Sequence, residues 1–174
     1  ITGMAYSNVG LGLVHGMAHP LGGRLGVAHG VANGILLAPV MEYNKDYTGE
    51  KYRDIADAFG IADAYTGDIE TVREEAVQAV HKLTVDLKNP TKISEVGATE
   101  ADLEPLAHDA FNDVCTPGNP RQATAPRIRI SPRPMRAPRP PASVSSKSLC
   151  RAAQSRAAFH RRPRTSPRSQ RRSM

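Results

Sequence analysis

The sequence predicts an all-α protein, a helical bundle over residues 1–120 followed by a disordered basic tail over 121–174. Three observations carry that expectation. Apolar residues recur at helical spacing along several stretches, with capping residues before them and Gly or Pro stops after them. No Gly-rich dinucleotide fingerprint and no βαβ pattern occurs anywhere. Charge also divides the chain: positions 1–120 hold eight Lys/Arg and all seventeen Asp/Glu, a balance of −9. The remaining fifteen basic residues lie in 121–174 with no acid, so the formal +6 averages two unlike halves.

Local signals justify each element in turn. Residues 4–18 read as one helix despite Gly10, Gly12 and Gly16. Each glycine costs about 1 kcal/mol relative to Ala, so tolerating three predicts a close helix–helix approach or a ring over the backbone. Pro20 is expected to end that helix. Residues 29–41 form an Ala-rich helix with Val31, Ile35, Leu36 and Val40 as a core stripe and Pro39 weakening its last turn. Residues 43–49 read as a polar loop. Residues 50–59 make a short amphipathic helix with Tyr52, Ile55, Ala56 and Phe59 inward and Gly60 as its stop.

The clearest helix spans 68–87. Asp68 is its N-cap, and Glu70 lies in the first turn, where the helix dipole favours negative charge. Ile69, Val72, Ala76, Val80, Leu83 and Leu87 form its inward stripe, and His81 falls on the polar flank. Asn89-Pro90 ends it. After a connector anchored by Ile93 and Val96, Thr99 caps a helix running to about residue 114. Leu103, Leu106, Ala110 and Val114 face inward, His108 is exposed, and Pro105 delays or bends its start. Cys115-Thr116-Pro117-Gly118-Asn119-Pro120 is a turn.

The chemistry concentrates in residues 8–33. This stretch holds His15, His19 and His29, three of the six histidines, in a Gly- and Ala-rich setting without a carboxylate. His15 and His19 stand four residues apart, so on a helix their rings share a face, roughly 6 Å apart along the axis. After the Pro20-Leu21-Gly22-Gly23 break, a chain that turns into a second helix brings His29 back towards His15. Imidazoles converging from two helices commonly hold a divalent metal, although two histidines at this spacing alone are more often structural than ligands, by about two to one. VGLGLVHGMAHPLGG followed by AHGVANGILL closely resembles the second signature of the iron-containing (group III) alcohol dehydrogenases, in their lactaldehyde reductase and 1,3-propanediol dehydrogenase branch.

The resemblance implies specific roles. One divalent iron is bound by an Asp and three His, and the last two ligand histidines fall on His15 and His29. His19 matches a histidine near the nicotinamide that is assigned to proton transfer, and so counts as both catalytic and cofactor-binding. Tyr6 occupies an aromatic position lining the substrate pocket. Cys115, in NDVCTPGNPR, matches a segment approaching that pocket, although a buried Cys is more often a packing residue. Imidazole and carboxylate suit Fe2+, or Zn2+, with a position left open for substrate. Such a metal acts as a Lewis acid on an alcohol or aldehyde oxygen while hydride passes to or from NAD(P). The nucleotide-binding domain and the first two ligands precede this region in the family, so the chain reads as a C-terminal fragment that is not competent alone. Where the family has an aromatic after Pro-Leu-Gly, this chain has Gly23-Arg24-Leu25-Gly26, which leaves a basic side chain near the expected site.

The tail is Arg, Pro, Ser and Ala, with Ile128 and Ile130 the last patterned apolar residues, and cannot bury a core. An Arg-rich arm binds nucleic acid through charge, but only Phe159 is available for stacking, which disfavours that partner. The resemblance stops at Ala125. Arg/Pro/Ser/Ala enrichment without acids is what a GC-rich gene gives in a shifted frame, so a frameshift near codon 125 is the favoured expectation. Cys115 and Cys150 give no disulfide framework and fit a reducing cytoplasm. No run approaches a membrane span, and Ile1 shows no basic n-region of a signal peptide.

Two functions follow as expectations. The first is the metal-binding part of an alcohol dehydrogenase acting on a small alcohol or aldehyde, its full-length relatives homo-oligomeric. The alternative is a non-catalytic helical module whose tail binds nucleic acid. A zinc-utilising, glycerol-dehydrogenase-like enzyme is a weaker enzymatic option.

Overall fold

The computed structural model describes residues 1–124; the side chains of Thr2, Ala5 and Tyr6 and the whole of 125–174 lie outside the described residues. The Tyr6 pocket assignment and the expected disorder of the tail therefore fall outside them as well. Among the described residues every regular element is helical. They are α1 (Thr2–Val9), α2 (Leu13–Leu25), α3 (His29–Asn44), α4 (Lys51–Ala58), α5 (Ile69–Asp86) and α6 (Leu103–Asn112). Single 3-10 turns lie at Lys45–Tyr47, Ile93–Val96, Glu100–Asp102 and Thr116–Gly118.

The expected helix over 4–18 is in fact two. Gly10 takes a left-handed φ of +79°, and Gly12, extended at φ −133°, precedes α2. Nor does Pro20 end α2. It sits mid-helix, and the chain stops only at Gly26, left-handed at φ 66°, whose N–H returns to the Gly22 carbonyl. The hydrogen bond forfeited at Pro20 is outweighed by the burial of Met17, Ala18 and Leu21 around it. In the same way α3 continues past Pro39 to Asn44, so the first residues of the expected 43–49 loop are helical.

Helix α3 is apolar on both flanks, and the bundle uses both. Ala32, Ile35, Leu36 and Val40 join α2, α6 and Ile93 in one core. Ala38 and Met41 join α4 and α5 in a second, with Tyr52, Ala56, Val72, Ala76 and Val77. Leu21 and Leu36 are at most 1% exposed, each contributing about 1.5–3 kcal/mol by leaving water.

The Asp68 cap forms as expected, its Oδ2 accepting the Thr71 N–H at 3.0 Å. The α5 stripe differs at its end. The inward row runs Val72, Ala76, Val80 and Thr84 with Val77 beside it, and Leu83 and Leu87 lie off that row, exposed. Phe59 is also exposed, because α4 ends before it and Gly60 turns the chain at φ 73°. Thr99 and Asp102 form a capping box ahead of α6. Pro105 falls in the first turn of α6, where a missing N–H costs little. Val114 is exposed because α6 stops at Asn112 and Asp113 is extended; Ala107 is buried in its place.

The 116–119 turn returns to α2. Asn119 and Asn44 exchange reciprocal amide hydrogen bonds of 2.9 and 2.7 Å, both side chains buried. Asn119 Oδ1 also lies 3.3 Å from the Leu13 N–H, one of the free donors that open α2. Arg121 lies 4.2 Å over the Tyr43 ring and donates to the Tyr43 carbonyl at 3.0 Å.

Candidate metal centre

The α2–α3 hairpin brings together the three histidines singled out by sequence. His15 and His19 project from one face of α2, and His29 opens α3. Ring centroids lie 6.0 Å apart for His15–His19, 5.2 Å for His15–His29 and 5.6 Å for His19–His29. His19 and His29 stack with 17° between ring planes. The short connection after Gly26 makes this possible, by reversing the chain within three residues.

His15 is half-buried, and its pKa lies below the ordinary imidazole value. Burial is the main cause, followed by the neighbouring His29 and His19; Asp113 pulls weakly the other way. A neutral imidazole is the form that ligates a metal. Beside it, the Asn33 amide nitrogen lies 2.9 Å from His29 Nε2, while the buried Asn33 Oδ1 has no partner among the described residues. Two imidazoles with ring centroids 5.2 Å apart, one of them disfavouring protonation, are donors of the type that a divalent iron or zinc ion takes, with His29 Nε2 facing the Asn33 amide nitrogen.

Cys115 lies on the same side as His19. Cys115, His19 and Asp113 each present one donor atom within 4.8 Å of the others. The half-buried Cys115 thiol is pushed up in pKa by burial, then by hydrogen bonding to Asp113 and by its charge. It is therefore a protonated, neutral group at pH 7 rather than a reactive thiolate. The Asp113 carboxyl lies below its usual range: burial would raise it, but the Cys115 N–H, His19 and the Cys115 thiol together outweigh that. Asp113 escaped the sequence reading. Its signal was its place in the NDVCTPGNPR segment, two residues before a turn, where such side chains bond the backbone ahead; the expected helix ran on to about residue 114 and hid it.

Glycines set the distances. A Cβ on Gly16 would stand 2.1 Å from Thr116 Oγ1, and one on Gly118 would stand 2.3 Å from the Leu11 carbonyl. The close approach expected of the glycine-rich helix is thus the docking of the 116–119 turn. That turn carries Asp113 and Cys115 to His19. Arg24, expected near the site, is held across to α6, donating from Nε to Asp109 Oδ2 at 2.7 Å.

Imidazoles gathered from two helices across one turn are an arrangement from which helical domains can build a divalent metal site. The family described as "Fe-containing alcohol dehydrogenase family, C-terminal" matches residues 1–129, and the chain belongs to that family. It is 53% identical to lactaldehyde reductase of Escherichia coli (strain K12) over 124 residues, covering 71% of this chain and 32% of that protein. It is 35% identical to the NAD-dependent methanol dehydrogenase of Bacillus methanolicus over 129 residues, 74% of this chain and 33% of that one. A crystal structure of 1,3-propanediol oxidoreductase superposes with a TM-score of 0.63 at 36% identity, over 68% of this chain and 31% of that chain. The chain thus spans about one third of the length of the relatives it matches. No described helix is long and apolar enough to cross a membrane.

Proposed function

We propose that residues 1–120 are the metal-binding domain of an iron-dependent, NAD(P)-linked alcohol dehydrogenase of the cytoplasm, interconverting a small alcohol or diol and its aldehyde, with 121–174 as an appended tail. The observation that carries this is the 5.2 Å approach of His15 to His29 from separate helices. His15 and His29 hold the ion, Fe2+ before Zn2+. Bound there, it supplies Lewis acidity towards the substrate oxygen. His19, exposed at the edge of the cluster, takes up or returns the hydroxyl proton. Tyr6 and Cys115 line the substrate pocket, and His19 borders the nicotinamide.

Two imidazoles leave a divalent ion half ligated, so the chain by itself binds iron weakly and turns nothing over. Metal analysis of the purified chain, alone and after adding an N-terminal domain with the remaining Asp and His ligands, tests this. Weak loading alone and stoichiometric loading together are expected. Tight stoichiometric iron on the lone chain would contradict the reading. The fifteen basic residues after position 120 favour a second reading, a helical module whose tail binds nucleic acid. DNA binding that weakens steeply with salt and vanishes on deleting 125–174 would support it.

A further inference from the structure

We propose that Asp113 is a positioning residue for His19: its carboxylate fixes the imidazole as the Nδ1–H tautomer and leaves Nε2 as the nitrogen that exchanges the proton. The inference rests on the proton-transfer reading of His19 given above and adds a residue to it. His19 Nδ1 lies 2.9 Å from Asp113 Oδ2. A carboxylate ionised at neutral pH only accepts hydrogen bonds, so the hydrogen in that contact belongs to Nδ1. Which ring nitrogen carries the proton is decided by the bond the other one makes, and a carboxylate behind an imidazole is an effective way to decide it.

The carboxylate is itself held from the other side. Asp113 Oδ1 accepts the Cys115 N–H at 2.8 Å, so one oxygen is anchored to the backbone while the other meets His19. The Thr116 N–H bonds the Asp113 carbonyl at 3.1 Å. The buried Thr116 hydroxyl donates to the Ala110 carbonyl and packs where Gly16 lacks a side chain. A surface ion pair has none of these constraints. Here a helix end, a turn and a glycine contact all fix one oxygen atom relative to one ring. Stacking on His29 at 17° restricts the ring further, so that rotation about the Asp113 contact would break a second interaction.

The tautomer can be read without turnover or metal. The full chain is prepared with nitrogen-isotope-labelled histidine and studied by NMR at a pH of about 8.5, where imidazoles are neutral. His19→Gln identifies the His19 resonances. The Nδ1–H form is expected to dominate at His19, although unconstrained histidine favours Nε2–H. In Asp113→Ala the ratio of the two forms should shift towards Nε2–H by about tenfold or more, the scale of a hydrogen bond to a charged acceptor. A dominant Nε2–H form in the wild-type chain would overturn the proposal, as would an unchanged ratio in a folded Asp113→Ala. If that variant loses its helical circular dichroism, the wild-type tautomer alone decides. An assembled enzyme indifferent to loss of His19 would instead sink the proton-transfer reading and leave the tautomer result standing.

Discussion

The rings of His15 and His29 lie 5.2 Å apart, although one belongs to α2 and the other begins α3. The α2–α3 hairpin holds them there through apolar packing: Leu13, Met17, Ala18 and Leu21 on one helix share a core with Ala32, Ile35 and Leu36 on the other. The histidine cluster is therefore built on rigid elements, and its spacing should survive changes in the surrounding loops.

If His15 and His29 share one ion, removing either is equivalent. In a preparation assembled with the N-terminal domain, His15→Ala and His29→Ala should each lower iron affinity by about 100-fold or more, beyond the loss expected of an outer-shell partner. Chelator competition measures it. His19→Ala should leave metal content intact and lower kcat by about 100-fold to 10,000-fold, the range for a lost general acid or base. Full activity in His19→Ala would remove His19 from the reaction.

Gly16 and Gly23 lie on the same helix and should respond in opposite senses. A methyl at Gly16 meets Thr116 Oγ1 at 2.1 Å, a hydroxyl already committed to the Ala110 carbonyl. Gly16→Ala should therefore destabilise by about 1–3 kcal/mol through overpacking. Gly23 has nothing within 4 Å of such a methyl, so Gly23→Ala should gain about 0.5–1 kcal/mol from helix propensity. Urea denaturation of both variants measures the contrast, and equal effects would mean that Thr116 does not sit against α2.

The Asn44–Asn119 pair should behave as a unit. Asn119→Ala strands the buried Asn44 amide and the Leu13 N–H and should cost about 1–3 kcal/mol. After Asn44→Ala the Asn119 amide keeps the Leu13 N–H and the Arg121 carbonyl, so that change should cost less. The double variant should cost clearly less than the sum, because the second truncation removes the group that the first left unpaired. Additive losses would argue that the two amides do not meet.

Tyr52 makes stability fall in alkali. Its hydroxyl is buried and donates to the Met41 carbonyl at 2.8 Å, and burial, then the charge of Glu42, pushes its pKa up to about 12. The folded value lies above the unfolded one near 10. The contribution is thus complete below about pH 10 and is lost as pH rises from there through about 12. Tyr52→Phe should flatten that part of the stability profile while weakening the fold at neutral pH by about 0.5–1.5 kcal/mol. An unchanged alkaline slope would place the titration elsewhere.

The proposed frameshift predicts a particular nucleotide sequence. A single-base insertion or deletion near codon 125 should restore a helical reading frame similar to the family. Sequencing the gene decides it, and the absence of any such frame would leave the tail as a product of the original design.

Much of this fold was legible because its signals are local. The Asp68 and Thr99 caps form because a side-chain oxygen reaches an N–H three residues away, Asp68 forward to Thr71 and Asp102 back to Thr99, which no tertiary contact needs to arrange. The i, i+4 histidines and the apolar positions of α3 follow from helical geometry alone. Glycine and proline were harder to read, because their effect depends on neighbours. Pro20 stays inside α2 because the core repays its lost hydrogen bond, while Gly10, with nothing packed on it, takes the left-handed turn that breaks the first helix.

By itself, then, the sequence determined the all-α class, the caps ahead of α5 and α6, the family and the three histidines, since each is written in residue type and spacing. Only the tertiary structure decided that Asp113 meets His19, that Arg24 turns away to Asp109, and that Asn119 locks onto Asn44. These contacts join residues 75 to 94 positions apart. No local propensity encodes such a pairing; it exists only once burial of the apolar faces has fixed how the helices lie against one another.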